Sequence, residues 1–306
     1  MKPLLDLIRR SLSLKISLAL AVVFVVLTGI MAFYITLRQT DALVELTVSK
    51  AQLASKLGAQ MYGATLEQAI DSQVVTVNDV FDKSYQEIKG YDWAGKPKYH
   101  TKYDFFTDQS MVVFQDKFLD SEDFVFAVGV DANGYLPTHN TKFQQPMTGD
   151  PAKDAAGNRT KRIFNDKVGL AAATNLEPGH REVYVRDTGE TMWDVSSPIF
   201  VKGKHWGGFR LAVSLEQIEK RKAALLTTLV GLFAVFAVIA IGLIFVMIKR
   251  SMVPVEKLTA AADKISMGEG LDEAIKPVTI DEIGRLTKSL DRLRASMKAA
   301  MSRLGE

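Results

Sequence analysis

Two uninterrupted apolar runs dominate the hydropathy pattern of the chain. Ile16–Leu37 carries no charge over 22 residues, and Ala223–Ile248 carries none over 26. At about 1.5 Å per helical residue, each exceeds the ~30 Å hydrocarbon thickness of a bilayer, so each predicts a spanning helix. Between them, residues 41–88 hold no proline and two glycines and predict one long stalk helix, with Leu53, Leu57, Met61 and Ala64 on one edge. Beyond Tyr91 the pattern turns to strands. Phe124–Val130 is a short run of β-formers ahead of the turn Asp131–Gly134. Arg181–Val185 and Met192–Phe200 flank Asp187–Gly189 as a hairpin, and Lys202–Lys204 turns into a strand over His205–Val213.

The tail returns to helical spacing. Val255, Leu258, Ala262 and Ile265 recur three and four apart, a coiled-coil seam that Pro254 opens and that Gly268 and Gly270 stop. Leu271 and Ile275 offer apolar anchors in a connector that Pro277 keeps from being a regular helix. A second seam runs Ile283, Leu286, Leu290, Leu293 and Met297, with Asp281 and Glu282 at its positive N-terminal end.

Charge fixes the orientation. Lys2, Arg9, Arg10 and Lys15 precede the first run, and Lys249 and Arg250 follow the second, so both ends are expected in the cytoplasm. Lys220, Arg221 and Lys222 run against this, but large domains translocate largely regardless of charge. The expected division is a cytoplasmic N-terminus (1–15), a first span (16–37), an extracytoplasmic domain (38–222), a second span (223–248) and a cytoplasmic tail (249–306). The first run is longer than a signal-peptide core and lacks an A-x-A-like site, which disfavours cleavage. The two spans predict a membrane protein, with lipid as one partner. Net charge of +3 gives no argument for nucleic acid. The absence of cysteine excludes disulfides, thiol nucleophiles and covalent c-type haem, and no cofactor is predicted. No G-x-S-x-G, H-E-x-x-H or phosphate loop is present, so no enzyme is expected.

Residues 251–306 resemble the HAMP linker of bacterial transmembrane receptors, through the proline after the membrane, the glycine before the connector and DEIGRL (281–286). The resemblance implies a homodimer whose paired helices form a parallel four-helix bundle. Pro254, Leu258, Ile265, Gly268, Leu271, Ile275, Asp281, Glu282, Ile283, Leu286 and Leu290 are the expected signal-relay residues. Few residues follow the second seam, so output is expected on a separate cytoplasmic signalling protein. GYLPTHN (134–140), NRTKRIFND (158–166), RDTGE (186–190) and SSPIFVKGKHWGGFRLA (196–212) resemble the extracytoplasmic Cache/PAS-like domain of methyl-accepting chemotaxis receptors, over about residues 95–213. That resemblance implies a five- or six-stranded antiparallel sheet with a ligand pocket on one face. The fold class is therefore a membrane α+β protein with two spans, a sensor domain and a helical pair.

His139, Lys161, Arg162, Trp193, His205, Trp206 and Arg210 lie in or beside these motifs and are the candidate small-molecule ligands' contacts. Lys161 and Arg162 have the charge to hold a carboxylate. Packing of the sheet is the alternative role for Trp193 and Trp206, and solvation in a loop for Arg162. The expected function is a receptor that senses a small molecule or redox cue outside and relays it through the tail. Two competing readings are a non-covalent haem or metal sensor using His139 and His205, and a non-signalling envelope scaffold.

Overall fold

The structure is a computed structural model that describes residues 11–89, 96–187 and 189–304. Lys2, Arg9, Arg10, the Tyr91 boundary and Thr188 of the expected hairpin turn lie outside those residues. The described residues fall into two compact units, one within residues 37–226 and one made of the described segments that flank it.

Helix α1 (Leu12–Asp71) carries the first apolar run and continues into the stalk without a break. It ends at Asp71, short of the expected residue 88. Gln73 takes a left-handed backbone (φ 59°), and Thr76 with Asp79 forms a capping box that starts the short helix α2 (Val77–Val80). A small ribbon pairs β1 (Gln86–Glu87) with β2 (Tyr99–His100), and α3 (Asp104–Phe118) follows. Then come β3 (Phe124–Asp131), β4 (Tyr135–Leu136), α4 (Pro151–Gly157), β5 (Arg162–Ile163) and α5 (Lys167–Thr174). The last strands are β6 (His180–Val185), β7 (Thr191–Val201) and β8 (Lys204–Ser214). The central sheet is antiparallel in the order β3-β8-β7-β6. It has four strands rather than five or six, because β4 and β5 pair only with each other.

Alternation along the strands gives the sheet two apolar faces. Ala127, Val195, Ile199, Phe209, Leu211 and Val213 belong to one buried cluster, together with Tyr62 and Leu66 of α1 and Met111 of α3. Phe126, Val128, Val130, Met192, Tyr184 and Ala212 form the other. Residues Ala51, Ser55, Ala59, Tyr62, Leu66 and Ala69 of α1, spaced by threes and fours, are the buried stripe. The edge read from the sequence is the opposite one: Leu53, Leu57 and Met61 are exposed.

The stalk's two glycines let α1 lie directly on the sheet. A Cβ at Gly58 would stand 2.2 Å from the Phe209 ring, and one at Gly63 would stand 2.4 Å from the Phe200 carbonyl oxygen. Gly129 on β3 makes room for Tyr62 in the same way. The hydroxyls of Ser55 and Ser197 meet at 2.8 Å across this contact.

After β8, helix α6 (Leu215–Ser266) carries the second apolar run. The basic trio on its outer flank is neutralised locally: Lys220 pairs with Glu216, Lys222 with Glu219, and Arg221 with Asp123. Pro254 was expected to open a new helix but lies inside α6, where it removes one backbone donor without stopping the helix. Gly268 (φ 80°) ends it, and the Glu269 N–H donates to the Lys264 carbonyl at 2.9 Å. In the connector the Ile275 N–H donates to Asp291 at 2.8 Å. The Asp281 carboxylate then accepts from Ile283 and Gly284 N–H at 3.0 and 3.2 Å, capping α7 (Glu282–Leu304). Within this unit Leu258 and Ile265 are buried, while Leu286 and Leu293 remain exposed.

In an ordinary helix interior, Gly→Ala adds roughly 1 kcal/mol of stability. At Gly63 the new methyl meets backbone, so Gly63→Ala is expected to destabilise residues 37–226 by about 1–3 kcal/mol in thermal or denaturant unfolding.

Candidate ligand-binding site

A small chamber lies on the sheet face turned away from α1. Phe126, Val128 and Val130 of β3, with Leu136 and Phe164, make its apolar walls, and His139, Arg159, Tyr184 and Arg210 complete it. Alternation on β3 and β8 puts these side chains on one face, and the loops after β4 and around β5 close over them. The chamber has about 20 Å³ of free space, enough for about one water molecule.

Arg210 is fixed by Asp194, its Nε and Nη2 donating to one carboxylate oxygen at 3.0 and 2.6 Å. Burial favours loss of its proton, but the Asp194 carboxylate outweighs this and keeps Arg210 charged. Arg159 and Arg162 share Asp187, at 2.7 and 3.1 Å, and both guanidinium groups lie over the Phe164 ring, at 5.3 and 4.9 Å. Arg186 pairs with Glu190 at 3.0 Å and covers Phe143, yet its buried Nε and Nη2 have no hydrogen-bond partner. His139 is wedged between Phe126 and Phe143. Its Nδ1 accepts the Asn140 N–H at 2.8 Å, which assigns the proton to Nε2. Burial, reinforced by Arg159, Arg186, Arg162 and Arg210, drives its pKa well below the ordinary value, so the ring is neutral.

An open groove of about 800 Å³ adjoins this chamber, lined among others by Arg162, Lys167, Arg186 and Asp187. Phe164 and Tyr184 border both spaces and form the partition between them. Together the two spaces offer guanidinium donors, a neutral imidazole donor and aromatic walls, a set suited to a small molecule bearing an anionic group.

The structure distributes the candidate residues unevenly. His139 and Arg210 share the chamber, and Arg162 lines the groove. Lys161, with a left-handed backbone (φ 62°), instead reaches Asp104 and Asp108 at 3.1 and 2.7 Å. Trp206 lies in the cluster against α1, its indole N–H donating to the Val80 carbonyl at 2.8 Å and its ring beside Tyr62 and Tyr103. Trp193 is stacked under Arg181 and packs on that same cluster. His205 contacts Phe200 near the β7–β8 turn, so the two histidines have separate surroundings. Among the described residues, no group of three or more His, Asp or Glu side chains is placed to hold a metal.

Arg159, Phe164, Tyr184, Arg186 and Asp187 were not singled out in the sequence. Four of them stand inside the motifs NRTKRIFND and RDTGE, and Tyr184 with Arg186 obeys the two-residue period of a strand face. Motif membership combined with strand period was the available signal.

Residues 246–299 match the HAMP domain family. No curated protein matches the chain. Among solved structures, it is similar to the E. coli DcuS sensor domain, with 18% identity over 37% of this chain and 74% of that one, at a TM-score of 0.27. The ligand-binding domain of Campylobacter jejuni chemoreceptor Tlp3, in complex with L-valine, is 10% identical over 64% and 67%, at 0.29. The extracellular domain of the putative histidine kinase vpHK1S-Z8 is 18% identical over 58% and 61%, at 0.27.

A group that is neutral when folded but takes up protons when unfolded contributes stability above about pH 6.5 that is lost as pH falls. His139 is such a group. Each pH unit below that value is expected to remove up to about 1.4 kcal/mol through this ring, until its folded-state pKa is reached. Unfolding measured between about pH 6.5 and 5 checks this, because His139→Gln should flatten the acid slope.

Proposed function

We propose that this chain is a subunit of a homodimeric receptor in a bacterial inner membrane. Its sheet domain lies outside and binds a small anionic molecule, and its HAMP helices pass the signal to a cytoplasmic partner. The coarse frame is firm: a HAMP domain follows an α+β domain bracketed by two helices apolar enough to cross a membrane, the organisation of a transmembrane sensory receptor. The ligand reading rests on one observation, the chamber of His139, Arg159, Tyr184 and Arg210 beside the groove of Arg162 and Arg186. Four guanidinium groups pair there with three carboxylates, Asp187, Glu190 and Asp194, which leaves one positive charge in excess for an anion to complement.

Room for about one water means that a ligand group larger than water reaching from the groove into the chamber must displace Phe164 or Tyr184, which border both spaces. That displacement makes occupied and empty states structurally distinct, which signalling requires. Coupling of about 1–3 kcal/mol is sufficient to bias a two-state relay.

Dimer formation has apolar surface to use. Leu46, Leu53, Leu57 and Met61 are exposed along α1, and Leu286 and Leu293 along α7. A second copy would bury both stripes, the second as a four-helix bundle. The relay then runs through Pro254, Leu258, Ile265 and Gly268 on α6 and its cap. It continues through Leu271 and Ile275 in the connector to Asp281, Glu282, Ile283, Leu286 and Leu290 on α7.

The test is a thermal-shift screen of the full-length protein in nanodiscs against small carboxylates, phosphates and sulfonates. An anion present at about 100 times its dissociation constant should add about 2.7 kcal/mol. Arg159→Gln should abolish that gain. A gain undiminished in this variant, or no gain from any anion, would contradict the ligand reading.

A further inference from the structure

One carboxylate ahead of β3 is gripped from both helices that lead to the apolar segments. Asp123 is 12% exposed and immediately precedes the strand. Its Oδ2 accepts from Lys50 Nζ of α1 at 2.6 Å, and its Oδ1 accepts from Arg221 of α6. Lys50 also donates to the Ser121 hydroxyl at 2.6 Å, and that hydroxyl donates to Asp123 at 3.3 Å. Three chain segments distant in sequence therefore meet at a single acid. The neighbouring Glu122 also stands near Arg221, at 3.5 Å, but is 92% exposed, where water screens the attraction. Burial alone would raise the Asp123 pKa, yet Lys50, Arg221 and Ser121 hold it below the ordinary carboxylate range.

The three segments differ in what they carry. Helices α1 and α6 contain the two runs apolar enough to cross a membrane. Strand β3 supplies Phe126, Val128 and Val130 to the chamber wall. A strand pinned just ahead of its first residue to both helices transfers displacement along its length to them, because the carboxylate tolerates little change in direction of either donor.

We propose that Asp123 is the coupling residue of this receptor, the clasp through which β3 holds the stalk helix α1 and the exit helix α6 in one fixed relation. That the chamber is the source of movement rests on the ligand reading above, whereas the clasp itself does not. Without Asp123 the two cations repel each other across the gap it filled, and α1 and the start of α6 lose their common polar anchor, keeping only the apolar cluster that holds Ala51, Leu215 and Ile218.

The chain has no cysteine, so Ser49→Cys and Gln217→Cys place two spin labels on α1 and α6 with no competing thiol. Electron–electron distance measurements would use the full-length protein in nanodiscs, diluted with unlabelled chains so that intrachain distances dominate. A single narrow distance peak is expected for the labelled parent and for the added variant Glu122→Gln. Asp123→Asn is expected to lose the narrow peak. The double variant Lys50→Met/Arg221→Met, which alters only half-exposed side chains, is expected to lose it as well, and decides alone should Asp123→Asn fail to fold. Persistence of the narrow peak in the folded variants would overturn the proposal. These measurements need no ligand, so failure of every anion to bind would sink the ligand reading and leave this result standing.

Discussion

The contact between helix α1 and the sheet is the constraint on which the rest of the outer domain depends. Gly58 and Gly63 bring helix and strand backbones to a distance that no other residue allows, since any Cβ would overlap Phe209 or the Phe200 carbonyl. Tyr62, seated over Gly129, fills the space between these two points. Because α1 and α3 pack on one apolar face, the opposite face is left to α5 and the loops around β4 and β5. Loops seal less tightly than a helix packed at backbone distance, and the chamber lies beneath them.

Polar groups on that second face are expensive to bury. Arg159, Arg162, Arg186 and Arg210 are each under 9% exposed, and each is matched to a carboxylate. Well-packed apolar residues of similar volume often stabilise a core as much as such pairs do, so stability alone does not explain them. The buried donors left open on Arg186 sharpen the point, because an unpaired buried N–H costs about 1–3 kcal/mol. A site that must recognise an anion gives a reason for keeping them. The neutral His139 fits the same logic: among four guanidinium groups it carries an Nε2–H for a ligand to use without adding a fifth charge.

Much of this was legible in the sequence, and the illegible parts share a cause. Strands β6, β7 and β8 fall within a residue or two of their expected limits, because alternation and glycine turns are local signals. The HAMP segment was legible through its heptad spacing, Gly268 and DEIGRL. The end of α1 was not, since Gln73 in a left-handed turn carries no sequence mark of it. The start of the tail helix was not legible either, since Pro254 is compatible with a first turn yet stands inside α6. The stalk's apolar edge was visible, but its buried stripe uses Ala51, Ser55 and Ala59, small residues that hydrophobicity overlooks and that close packing demands. Among the candidate site residues, only position in the fold separates Arg210, in the chamber, from Trp206, in the opposite cluster.

A stalk packed at backbone distance must be one body with the sheet and not a helix merely tethered beside it. Amide hydrogen exchange of the full-length protein in nanodiscs tests this most directly, because protection reports the free energy of local opening. Residues 51–69 of α1 should exchange as slowly as β7 and β8 and open together with them. Exchange of that segment independently of the sheet, at the rate of a fraying helix, would contradict the central claim.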